Sequence, residues 1–306
     1  MRSWAEGREY LAWLAGRGGP EPSDYGMLTK LFDAVHAGEF RVAHGTSVPL
    51  RGDGSLDPIL DQERQVFRST ESMQGFSYVK PHGYSGDFEI IERICRRAVS
   101  SLSNITRWDS FFHEGDAPRA VRNRSSLLGG LIREAQPESI LSAGCGPSLD
   151  LAEVLQADET LTYVDLLDND PNAIARSKVN LAAVDQYLFR SFGFNVRNVL
   201  RFKPTRTYGF VWCSGLFDYL NDKTAVYLLK RFNDMLAPGG TVAFGNFGEE
   251  NGSRSYMEIV GRWFLIYRSP MDLMRLAGAA GFLPRKTRVC TDATGLNNFL
   301  IATKAA

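Results

Sequence analysis

The chain has 306 residues, 44% hydrophobic and 23% charged, a globular balance that excludes intrinsic disorder and fibrous repeats. Its 35 Lys and Arg cancel its 35 Asp and Glu, so no net field draws in nucleic acid or an anionic membrane, and a small-molecule partner is expected. Cys95, Cys145, Cys213 and Cys290 form no C-x-x-C pair, which indicates neither a disulfide framework nor a metal site and predicts a reducing, cytoplasmic setting.

The apolar stretch 10–15 is too short for a signal-peptide core, and no uncharged run approaches ~18 residues, so no membrane insertion is expected. Helix-like patterns over 27–36, 58–72 and 88–100 predict a helical N-terminal domain, residues 1–116, acting as a lid or substrate domain. From residue 117 the pattern alternates helices with short β-branched or aromatic runs, the mark of a parallel sheet with crossover helices. A helix capped by Asp116 carries Ala117, Ala120, Val121, Leu127, Leu128 and Ile132 on one face. Strand 139–143 runs into Gly144-Cys145-Gly146-Pro147-Ser148 and a helix over 149–155. Strand 161–167 ends at Asp168, with Asp170 and Pro171 opening the next helix. Strand 208–213 leads to the loop from Ser214 to Tyr219 and a helix over 223–235. The turn Ala237-Pro238-Gly239-Gly240 returns to strand 241–246. Ser269-Pro270 starts a last helix, ended by Gly281, before strands 286–290 and 299–303. The prediction is an α/β, Rossmann-like doubly wound sheet with a terminal antiparallel strand, preceded by a helical N-terminal domain, with residues 117–306 as the ligand-binding domain.

Such a sheet binds ligands at the carboxyl ends of its strands. Gly144 and Gly146 allow a sharp turn and close approach of a ligand, and Ser148 stands where a third glycine often sits. A G-x-G loop is a weak signal alone, but Asp168 follows Gly146 by 22 residues, at the end of the neighbouring strand, where a carboxylate accepts bonds from both ribose hydroxyls of an adenosine. The full dinucleotide loop is absent, Asp150 is poorly placed beside a phosphate, and no G-x-x-x-x-G-K-[ST] motif exists. An adenosine without phosphate and with a zwitterionic amino-acid tail fits better: S-adenosylmethionine.

The segments ILSAGCGPS (140–148), VDLLDNDPNAI (164–174), FVWCSGLFDYL (210–220) and LAPGGTVAFGNF (236–247) resemble class I S-adenosylmethionine-dependent methyltransferases. KPHGYSGDFEIIERI (80–94), APRAVRNR (117–124), GLFDYL (215–220) and SYMEIVGRWFLIYRS (255–269) carry a narrower resemblance, to bacterial proteins for biosynthesis of the extracellular factor 3-hydroxypalmitic acid methyl ester. The resemblance implies that Gly144, Gly146 and Ser148 lie along the methionine part of the cofactor, that Asp168 holds the ribose and that Asn198 sits near the adenine. Ser142 replaces the acidic residue that many relatives carry, and Ser214 is the substitute for recognising the cofactor ammonium group.

The turn 80–87, with Tyr84, reads as a lid over the cofactor, and Arg122 as a bidentate partner for a carboxylate. Tyr256, Met257, Trp263, Tyr267 and Arg268 line a substrate pocket or, at helical spacing, pack a core. No catalytic residue is fixed by spacing; Tyr84, Ser214 and Tyr267 are the candidates. His82 lacks a partner acid at fixed spacing. The expected reaction is methyl transfer to a small-molecule acceptor, a carboxylate or hydroxy acid in specialised metabolite or signal biosynthesis. Two alternatives keep the same cofactor: cyclisation of its aminobutyryl part to a small cyclic amino acid with release of methylthioadenosine, and a noncatalytic sensor.

Overall fold

The computed structural model describes residues 4–37, 60, 63–157, 160–182, 184 and 190–305. They divide into two compact units, Met1–Arg119 with Gly252–Phe264, and Ala120–Asn251 with Leu265–Ala306. The segment Gly252–Phe264 thus belongs with the N-terminal helices although it lies deep in the second half of the sequence.

The first unit is helical, with α1 (Trp4–Gly16), α2 (Tyr25–His36), α3 (Arg64–Phe67), α4 (Met73–Val79), α5 (Phe88–Cys95) and α6 (Ser103–Glu114). Of the predicted helix 58–72, positions 58, 59, 61 and 62 lie outside the described residues, and the rest shortens to α3. Caps explain the starts: Ser72 Oγ accepts from Gly75 N, and Asp87 accepts from Glu89 N and Ile90 N, satisfying orphan first-turn donors. Helix α5 ends at Cys95 rather than running to 100, and Arg97 turns left-handed with φ 50°. The core packs Leu28, Phe32 and Val35 of α2 against Trp108 and Phe111 of α6 and against Val260. Tyr256 stands edge-on to Phe32 at 5.0 Å and to Phe111 at 5.1 Å, so of the two readings of this aromatic its ring takes the core one.

The second unit follows the predicted alternation. Asp116–Arg122 (α7, whose residues up to Arg119 belong to the first unit) and Arg124–Ala135 (α8) replace the single expected helix, with the break at Asn123, whose amide donates to Asp292 Oδ2 at 2.7 Å. Then come β1 (Ser139–Ala143), α9 (Leu149–Leu155), β2 (Tyr163–Asp168), α10 (Pro171–Ala182), β3 (Ser191–Val196) and β4 (Tyr208–Cys213). The chain continues through α11 (Asp222–Met235), β5 (Leu236–Phe247), α12 (Arg254–Ile259, in the first unit), α13 (Pro270–Ala279), β6 (Thr287–Thr291) and β7 (Asn297–Thr303). The sheet order is β3-β2-β1-β4-β5-β7-β6, with β7 antiparallel to both neighbours. Strand β5 absorbs the predicted Ala-Pro-Gly-Gly turn: its pairing with β4 jumps from Leu236 to Thr241, and Gly239 there has φ 76°.

Alternation along the strands sends Leu141, Val211, Val242 and Phe244 to one core with Leu228, Phe232 and Leu273. Ile140, Phe210, Trp212 and Ala243 face the other, with Leu128, Leu151 and Ile174. Burial on both faces is what a doubly wound sheet requires. Strand order reverses between β1 and β4, which opens a crevice at their carboxyl ends. Among the described residues, no helix is long and apolar enough to cross a membrane.

Candidate active site

The loop after β1 is built to hold an unusual backbone. Gly144 has φ 63°, Gly146 φ 53° and Ser148 φ 55°; the last is costly for a residue with a side chain and explains why glycine often stands there. A Cβ on Gly146 would meet nothing within 4 Å, so the turn faces open space at its apex.

The loop's own amides are taken up. Gly144 N and Cys145 N donate to Leu167 O at 2.8 and 3.2 Å, Ser148 N donates to Cys145 O at 3.1 Å, and Gly146 N donates to Asp168 Oδ2 at 3.0 Å. Pro147 has no N–H. A phosphate-binding loop needs free N–H groups aimed at its ligand, and these are satisfied internally. The residues present therefore fit a cofactor that lacks phosphate.

Side chains from α10 finish the turn. Ser177 Oγ donates to Gly146 O at 2.7 Å and pairs with Ser148 Oγ at 2.9 Å, and Asn180 Nδ2 donates to Pro147 O at 2.8 Å. Ser148 is wholly buried, its hydroxyl engaged inside the loop. Ser177 and Asn180 were not foreseen from sequence; the available signal was a polar pair three residues apart on a helix face otherwise lined by Ile174 and Leu181.

Asp168 ends β2 beside this loop. Besides Gly146 N, its carboxylate accepts Asp170 N at 3.0 Å, while Asp170 accepts Asn172 N at 2.8 Å and so takes the helix-start role expected of it. Burial pushes the Asp168 carboxyl above the usual carboxylate range, opposed by the N–H bonds from Asp170 and Gly146. The Asn169 N–H also bonds this carboxylate, so of its roughly four acceptor sites three are taken by backbone. Asn198 follows β3, exposed, with Oδ1 accepting Leu200 N at 2.9 Å, which leaves its NH2 to donate. Asp150 accepts the Trp212 indole N–H at 2.8 Å; its carboxylate anchors a buried aromatic of β4.

Ser214 follows β4, half-buried. The next residues tie loop to loop: Leu216 Cβ lies 3.5 Å from where a Gly144 Cβ would stand. The structure thus gathers Gly144, Gly146, Ser148, Asp168, Asn198 and Ser214 at the carboxyl ends of the strands. Arg122 is half-buried at the end of α7, and Tyr267 accepts from Asn251 Nδ2 at 3.5 Å. Tyr84 belongs to the first unit, on the turn between α4 and α5.

Several other side chains have structural partners. His82 bonds Glu89 at 3.0 Å and packs on Phe88. Arg268, read either as lining a pocket or as packing a core, is buried and donates to Phe217 O, Leu220 O, Asn246 Oδ1 and Asp222, so it pins the loop after β4. Burial pushes the Cys145 and Cys213 thiols up to about 12, which keeps both protonated at neutral pH.

The site is thus a glycine loop beside a strand-end carboxylate in a doubly wound sheet with one antiparallel strand. A family model described as a methyltransferase domain matches residues 141–242. A crystal structure of a possible exported protein from Bordetella parapertussis is 16% identical with a TM-score of 0.65, covering 93% of this chain and 96% of that one. The N-methyltransferase NodS from Bradyrhizobium japonicum WM9, solved with S-adenosyl-L-homocysteine, is 14% identical over 72% of this chain and 98% of that one, TM-score 0.47. Magnesium protoporphyrin IX methyltransferase from Synechocystis PCC 6803, also with that product bound, is 14% identical over 62% and 87%, TM-score 0.49. No curated protein matches the chain. The chain carries a methyltransferase domain over residues 141–242 and is a methyltransferase enzyme.

Proposed function

We propose that the enzyme methylates a small acceptor bearing a carboxylate or hydroxy-acid group, in specialised metabolite or signal biosynthesis, within the cytoplasm. The observation that carries the cofactor half is the glycine loop: its amides are satisfied internally, its apex at Gly146 is open, and the Asp168 carboxylate stands beside it. The acceptor half rests on the likeness to the methyl-ester biosynthesis proteins.

When bound, S-adenosylmethionine would supply an electrophilic methyl group, its sulfur keeping the electron pair of the carbon–sulfur bond while the acceptor oxygen provides the pair for the new bond. In this reading Asp168 orients the ribose, Gly144 and Gly146 let the backbone approach the amino-acid tail, and the Asn198 amide donates toward the adenine. Ser214 and Arg122 serve the tail's charged ends. Tyr84 and Tyr267 remain candidates through the family likeness. A carboxylate acceptor is already deprotonated at neutral pH, so alignment and exclusion of water suffice and no general base is required.

The test is incubation of purified protein with S-adenosylmethionine alone and then with 3-hydroxy fatty acids and small carboxylic acids, with products separated by chromatography and mass. Acceptor-dependent S-adenosylhomocysteine is expected. Enzyme-dependent methylthioadenosine without any acceptor overturns the reading in favour of cyclisation.

A further inference from the structure

The chain is neutral as a whole, but at physiological salt exposed charges more than ~8 Å apart are largely screened from one another, so a partner meets the local balance. Residues 186–217 hold five Lys and Arg and no Asp or Glu. Four of these cations, Arg197, Arg201, Lys203 and Arg206, fall on the segment between β3 and β4, and all four are exposed.

The segment takes the place of a crossover helix. It makes a single turn of 3-10 helix, Val199–Arg201, and packs Val199, Leu200 and Phe202 into the core beneath, which leaves its cations on the outside. Asn198 accepts Leu200 N at 2.9 Å, and Arg231 of α11 donates to Phe202 O at 2.6 Å, so the backbone is held in place. At one end Arg197 N donates to Asp168 O at 2.9 Å, where β2 finishes. At the other the Arg206 guanidinium stands 4.2 Å over the ring of Tyr163, where β2 begins. Five residue steps of a strand separate those two positions, which makes the ridge about 16 Å long.

Elsewhere on the surface an exposed arginine meets its acid: Arg96 pairs with Glu92, and Arg275 with Asp222, each at 2.7 Å. Among the described residues none of the four ridge cations makes an ion pair, and Asp165, on the sheet face they cover, is taken by the Tyr208 hydroxyl at 2.6 Å. Cations on an edge strand guard it against pairing with another strand, but none of the four is a residue of β3.

Such a ridge matches a polyanion. Single-stranded nucleic acid also needs open aromatic faces on which its bases stack; here Arg206 covers Tyr163, and Lys178 stands 5.1 Å over Phe194. A bilayer surface takes up apolar side chains between its headgroups, and Val199, Leu200 and Phe202 are turned into the core. An α-helix rises 5.4 Å per turn, so about three turns span the ridge, and carboxylates three or four residues apart meet its cations in order. We propose that this ridge docks an acidic helix of a partner protein.

The probe is a fluorescein-labelled helical peptide of about 20 residues with its glutamates on one face, set against a peptide of the same composition with its glutamates spread around the helix. Fluorescence anisotropy with the full-length protein is expected to show the one-faced helix binding at least fivefold tighter, and weakening several-fold between about 50 and 200 mM salt. Arg201 and Lys203 have no bonded partner among the described residues, so the double variant Arg201→Gln, Lys203→Gln melts with the parent and loses at least fivefold in affinity for the one-faced helix, and Lys203→Gln alone loses part of it. Equal affinity for the two peptides, no measurable binding of either, or an unchanged affinity in the double variant overturns the proposal. Tighter binding of polyuridylate, or of phosphatidylcholine vesicles with one-quarter phosphatidylserine, than of the one-faced helix also overturns it, and assigns the ridge to nucleic acid or to a membrane instead.

Discussion

Asp168→Ala is the sharpest perturbation of the cofactor site. The carboxylate holds Gly146 N and Asp170 N at 3.0 Å each, one on each oxygen, and is also bonded by the Asn169 N–H; on the proposed reading its remaining acceptor capacity takes the ribose. Hydrogen bonds to a charged group contribute about 1.5–3 kcal/mol each, so losing one weakens binding by roughly tenfold or more, and losing two by about a hundredfold or more. Asp168→Asn separates affinity from loop integrity, since its amide oxygen still accepts one N–H while its NH2 opposes the other. Calorimetric titration with S-adenosylhomocysteine, alongside thermal melting, reads both effects. The pH dependence has a definite sign: burial raises the Asp168 pKa, the ribose hydroxyls prefer the ionised acceptor, and affinity therefore falls as pH drops through that raised value. Asp168→Asn flattens this slope. Unchanged affinity for Asp168→Ala, or a parent affinity that strengthens on acidification, would refute the ribose assignment.

Asp150→Ala leaves the buried Trp212 indole N–H without its 2.8 Å acceptor; an unfolding free energy lower by about 1–3 kcal/mol is expected in urea, and an unchanged midpoint counts against the bond. Asp218 is buried, and burial lifts its carboxyl to about 7, against the Phe247 N–H and the charges of Arg124 and Arg268. Because the folded pKa lies above the unfolded one, its contribution to stability is full below about pH 4 and is lost as pH rises through about 7. The denaturation midpoint should fall between pH 5 and pH 8, and Asp218→Asn should shrink that fall; an equal fall in the variant assigns the dependence to other groups.

Strands β1, β2, β4 and the second part of β5 were legible because their signals are local, whereas the sequence reading set no bounds for β3. Strand 139–143 and helix 149–155 fall where expected, since β-branched and apolar runs, two glycines and helical spacing all lie within a few neighbouring residues. The start of β7 was placed two residues late. It is fixed by Asp292, whose Oδ1 accepts Leu296 N at 3.2 Å and Asn297 N at 2.9 Å, and nothing in the apolar pattern of the strand reports such a turn. Tyr256 illustrates the other blind spot. Its helical spacing gave both a pocket and a core reading, and only contact with Phe32 and Phe111, more than a hundred residues earlier, decides for the core.

Spacing finds a residue at the carboxyl end of a strand when the strand end itself presents it, as at Gly144 and Asp168. It misses the groups that hold those residues still. Ser177 and Asn180 grip two carbonyls of the glycine turn from a different helix, and Arg268 fixes the far side of the loop after β4 with bonds to two backbone carbonyls. Such groups need no motif, because any donor of suitable reach satisfies a carbonyl. On the proposed reading, a turn whose Gly144, Cys145, Gly146 and Ser148 N–H groups are already bonded to Leu167, Asp168 and Cys145 offers a pyrophosphate fewer donors than an unbonded glycine loop does.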